Sequence, residues 1–229
     1  MPPFCLLASP EKTYRMKNSI LQRILGLTTV AAVLVAIGAF AQQKQAPAPG
    51  LAPGDVRILK ISDLGKDSLQ KAKSIDGHSS QKAKQWGVYD VSFATMPAWI
   101  DEMSATYTLI LQKKPNEVEP GEKAISLFQT TVDYSDVQQA RDHKAGVVLY
   151  PAALLRFGTP IGFAVQLNVG NTEVASEHIE GGILKDKAKW WADPKIIDAP
   201  TVARRNGYLV DRMKSPFQLI DLDSYEVSR

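Results

Sequence analysis

Few residues in this chain combine the type and the spacing that chemistry requires. The three histidines, His78, His143 and His178, stand far apart, with none of the short intervals that metal ligation uses. The only cysteine is Cys5. Neither a Gly-x-Ser-x-Gly elbow nor a phosphate-cradling glycine loop occurs. No cofactor and no metal are therefore expected. Carboxylates cluster at Asp101-Glu102, at Asp133 with Asp136, and at Asp221, Asp223 and Glu226. Asp221 and Asp223 fall on one strand face by period two, but two carboxylates leave a calcium shell unfilled. A carboxylate-dependent hydrolase needs two acids roughly 5–9.5 Å apart, a spacing that sequence does not specify.

Two segments offer binding surfaces instead. Trp190-Trp191 is flanked by Lys185, Lys187 and Lys189 and by Asp193-Pro194. In a strand the two indoles would point to opposite faces. One could then be buried and the other stand as a flat apolar platform for a sugar ring or a protein partner; both could also pack into the core. The second segment repeats Gln-Lys-Ala-Lys at 70–73 and 81–84. Its Lys71, Lys73, Lys82 and Lys84 make a solvated loop or a basic patch for acidic glycans or anionic head groups. Trp86 and Trp99 sit beside expected strand starts and are read as core-edge packing.

These residues must be positioned by elements, and the first is an export signal. Lys17 and Arg23 precede an uncharged run from Ile24 to Ala41 that closes on Ala39-Phe40-Ala41. A positive start, an apolar middle and a small-residue exit make a secretory signal. Met16 is then the expected start, with residues 1–15 upstream of it. The run is about 18 residues, just long enough to span a bilayer if uncleaved. No cysteine follows it for lipidation, and Gly26 lacks the downstream glutamate of a prepilin. Residues 42–54 are Pro-, Ala- and Gly-rich and suit a flexible linker. The formal charge of +3 comes from the leader: without Lys12, Arg15, Lys17, Arg23 and Glu11, 23 basic and 23 acidic residues remain. A neutral domain lacks the positive excess of a general nucleic-acid binder.

The remainder, 55–229, reads as one strand-rich domain. Val56–Ile61 is an expected first strand. Tyr89, Val91 and Phe93 alternate, as do Met103 through Leu111 and Ile161 through Val169. Gly170-Asn171 signals a turn, and Val174 resumes a strand. Ala124–Tyr134, Gly146–Leu155, Tyr208–Met213 and Phe217–Leu222 complete the expected strands, and Ser135–His143 is the best helix candidate. The pattern predicts a mainly β fold, an Ig-like antiparallel sandwich first and a small closed barrel second.

The segment Met16–Ala41, the linker and the strand order through Leu222 resemble accessory proteins of bacterial surface appendages. They are similar in particular to proteins encoded beside the type IV pilus machinery of mucin-dwelling gut bacteria. The resemblance implies an Ig-like sandwich related to pilus-subunit domains, with a role in surface assembly or host contact. The expectation is a non-enzymatic protein in the periplasm, at the outer membrane or outside the cell. It would act on envelope or pilus proteins or host surface molecules. The alternatives are a carbohydrate-binding module and the hydrolase.

Overall fold

The computed structural model of the protein describes residues 51–71, 84–220, 225, 226 and 228. Among these, ten strands form two open sheets. In the first, β1 (Val56–Ile61) and β2 (Leu69–Lys71) lie end to end along one edge of β3 (Gln85–Thr95). β6 (His143–Leu149) pairs with the other edge of β3, and β10 (Leu209–Asp211) pairs with β6. The second sheet runs β8 (Thr172–Glu180), β7 (Thr159–Val169), β4 (Trp99–Gln112), β5 (Ile125–Gln138) and β9 (Val202–Arg205). The architecture is a β-sandwich, and two separate sheets set aside the closed barrel.

The expected alternation drives the packing. Met103, Ala105, Tyr107, Leu109 and Leu111 on β4 and Phe163, Val165, Leu167 and Val169 on β7 all enter the core between the sheets. Tyr89, Val91 and Phe93 meet them from β3. Tyr89 and Phe163 join the two layers with ring centroids 5.0 Å apart. The hydroxyls of Tyr107 and Tyr134 meet at 3.2 Å inside this core. Burial pushes both phenols above their ordinary range.

Several sequence expectations are corrected. Ser135–His143 is not helical: β5 continues to Gln138 because Val137 completes the core face opposite Ile100. Asp136 sits at φ 56°, a left-handed kink that aspartate tolerates. The strand expected over Gly146–Leu155 ends at Leu149, where α1 (Pro151–Phe157) begins with proline in its first turn. Phe217 begins no strand; residues 217–220 form turns, and Phe217 packs on Val88 and Val148 across the outer face of the first sheet. Finally, the sheets are not wholly antiparallel, since β9 runs parallel to β5.

That parallel pair follows from the path of the chain. After β8, at one edge of the second sheet, residues 181–201 cross its outer face to reach β9 at the opposite edge. This excursion contains the short helix α2 (Pro194–Ile197) and covers Ile110, Leu127, Ile161 and Ala164. Each sheet therefore buries apolar residues on both faces, but only in part.

Candidate interaction surface

The excursion carries the tryptophan pair. Trp190 and Trp191 lie in a one-turn 3-10 helix rather than a strand, so their side chains do not diverge to opposite faces. Trp190 is 0% and Trp191 4% exposed. Gly162 on β7 makes the room: a Cβ there would stand 2.5 Å from Leu184 Cδ1 and 2.9 Å from Trp190 Cζ2. The two indoles meet edge to face at 5.9 Å, and Trp191 packs on the His178 ring at 4.5 Å. Of the two readings of Trp190-Trp191, the solvent-facing platform is thus corrected and the packed one holds: the pair is a buried plug over the second sheet.

The lysines do not join it. Lys71 pairs opposite Gln85 in β2 and β3, and Lys71 and Lys84 are exposed on the first sheet. Lys73 and Lys82 lie outside the described residues, as do Asp221, Asp223 and the export segment. The repeat's described lysines and the tryptophans belong to different sheets and form no common site.

His143 is buried at the start of β6. It stacks on Phe93 at 4.7 Å and uses both ring nitrogens. Nε2 lies 2.9 Å from Thr95 Oγ1, and Nδ1 lies 2.5 Å from Glu226 Oε1. The Thr95 hydroxyl donates to Gln138 O at 2.8 Å and accepts from Ala140 N at 3.1 Å. Its single hydrogen is thereby used, so Nε2 must donate to Thr95. Nδ1 and Glu226 Oε1 are joined by a hydrogen bond of their own. A Thr–His–Glu chain has the outline of a nucleophile with its base and orienting acid. Here the threonine is 2% exposed and its hydroxyl is consumed by the backbone, so the chain works as a fastener.

A second fastener stands beside it. The buried Arg212 guanidinium lies 3.8 Å from Asp90 Oδ1 and 3.9 Å from the centre of the Tyr225 ring. It also donates to the carbonyls of Phe217 and Ile220. Burial raises the Asp90 carboxyl above its usual range, against the opposing effects of Arg212, Tyr225 and Lys144. Gly146 faces Asp90 across the ladder, where a Cβ would come within 2.6 Å of Oδ1. Among the described residues, no group of three or more His, Cys, Asp or Glu is placed to hold a metal ion.

The fastened region ends in exposed apolar side chains. Residues 95–99 cross from β3 in one sheet to β4 in the other. Met96 is 62% and Trp99 55% exposed. Trp99 is therefore not the core-edge residue expected; Trp86, half-buried against Tyr150 at 5.2 Å, is. The crossing is held by Thr95 N to Ala140 O, Met96 N to Asp55 O, Gln139 N to Ala98 O and the Thr95 hydroxyl. Exposed charges around it are Asp101, Glu102, Asp136 and Asp142 against Arg57 and Arg141. The sequence carried one overlooked signal: Met96-Pro97-Ala98-Trp99 has no charged or hydroxyl side chain, although a solvent-facing connection normally does.

A two-sheet sandwich with fastened crossings defines the class as a β-domain, and comparison with known proteins makes the assignment more particular. A protein-family model matches residues 54–229, and the chain belongs to that family. A crystal structure of a protein from Akkermansia muciniphila is similar, with a TM-score of 0.56 and 18% identity over 76% of this chain and 93% of that one. This likeness extends to the fold. No curated protein matches the chain.

Proposed function

We propose that the protein is an exported, non-enzymatic component of the bacterial envelope or surface that acts by protein contacts in pilus-associated assembly, adhesion or host interaction. The observation that carries this reading is the contrast around His143. The side chains with chemical potential are tied into the frame, while apolar side chains on that frame face solvent. The export signal, the linker and the resemblance to proteins encoded beside type IV pilus machinery support it. So does the fold shared with a protein of a mucin-dwelling bacterium.

Deletion of the gene in the producing bacterium tests the proposal. Surface pili and adhesion to mucin should both fall, and a plasmid copy should restore them. Unchanged pili together with unchanged adhesion would reject the reading. N-terminal sequencing of the exported protein should give Gln42 as the first residue.

A further inference from the structure

We infer that the end of the sandwich bearing Met96 and Trp99 is a docking surface for a protein that presents lysine or arginine around an apolar socket. The inference rests on the proposed role in protein contacts and names the surface that role would use. Tryptophan and methionine are enriched at interfaces, and tryptophan is prominent among the few residues that carry most binding energy. An exposed indole on a loose loop would have to be ordered on binding. This one is ordered beforehand: hydrogen bonds with Asp55, Gln138, Gln139 and Ala140 hold both sides of the crossing, and His143 braces Thr95 from behind. Such preorganisation lowers the entropic cost of association.

Charge selects the occupant. Asp101, on the strand that begins with Trp99, and Asp136, two residues before its ladder partner Gln138, are exposed. Asp142 lies in the neighbouring connection, where Arg141 is the one basic residue. A groove of about 560 Å³ continues from this end, lined by Asp136, Asp142 and Lys144 together with the paired His143 and Glu226. A second copy docking through the same face would set acid against acid. An anionic lipid surface would meet the same repulsion. A basic protein surface with an apolar socket complements both features.

The test uses the full chain in the producing cell, with benzoylphenylalanine replacing Trp99 and, as control, replacing Leu155. Leu155 is 83% exposed on α1, which lies by β7 toward the far end of β4. Photolysis at position 99 should yield a covalent adduct whose cross-linked peptide carries an excess of lysine and arginine. Asp136→Lys with Asp142→Lys should lower its yield about tenfold, since like charges across an interface weaken association. An unchanged circular dichroism melt for that variant excludes misfolding as the cause. A lipid adduct, an adduct with a second copy, an acidic target, equal capture from position 155, or no adduct would each overturn the inference. A basic target unrelated to the envelope would uphold the surface and reject the proposed function. Loss of pili and adhesion on deletion, with no adduct at 99, would do the reverse.

Discussion

Two tryptophan sites in this domain have opposite fates. Trp190 and Trp191 are carried on a long excursion with exposed lysines around them, yet they are buried. Trp99 opens a central strand, the usual place for a core residue, yet it faces solvent. Local sequence does not decide between these outcomes. The first pair is buried because Gly162, from a distant strand, leaves a hollow over the sheet. Trp99 is exposed because its neighbour Ile100, paired with the buried Val137, takes the core-facing position at this end of the strand.

The comparison breaks most visibly at Trp190. Trp190→Ala should lower unfolding free energy by about 3–5 kcal/mol, the usual cost of truncating a large buried aromatic. Urea denaturation measures it, and a loss below about 1 kcal/mol would show that the excursion is not part of the core. Glu226→Ala should cost less, about 1.5–3 kcal/mol, the scale of a hydrogen bond to a charged partner. It should also speed amide exchange selectively in residues 95–99, because His143 then loses the group that orients its ring against Thr95. Exchange that rises equally across all strands would contradict the fastener.

Asp90→Asn sharpens the electrostatic side of the comparison. A carboxyl raised by folding stabilises the native state below its unfolded pKa, near 3.8, and loses that contribution as pH rises through the raised value. The wild-type protein should therefore gain more stability than the Asp90→Asn variant as pH falls from neutral toward that value. Parallel stability curves for the two proteins would refute this sign. The smallest effect belongs to Trp99: Trp99→Ala should change stability by no more than about 0.5 kcal/mol. A larger loss would return Trp99 to the core.

The sandwich was legible where one strand explains its own burial. The stripes on β4 and β7 alternate over most of each strand because one face of each is committed to the core. Legibility failed where the deciding contact is distant. Ser135–His143 looked helical because its polar residues mask Val137, whose burial depends on pairing with β4. Pro151 suits a helix's first turn, but the apolar residues after it also fit the expected strand. The tryptophan plug required knowledge that residues 181–201 cross the sheet. His143 required Thr95 and Glu226, 48 and 83 residues away in the chain.

The fastener at Glu226 also has a consequence in time. Synthesis delivers Thr95 first, His143 next and Glu226 a further 83 residues on. Both sheets can pair before Glu226 emerges, since their strands end at Asp211. The crossing that presents Met96 and Trp99 thus receives its brace through His143 late, after both sheets can form. A nascent or clipped chain lacking Glu226 would carry the same apolar side chains without the same hold on them. Any recognition that depends on their fixed placement is thereby reserved for chains that have been made through to that residue.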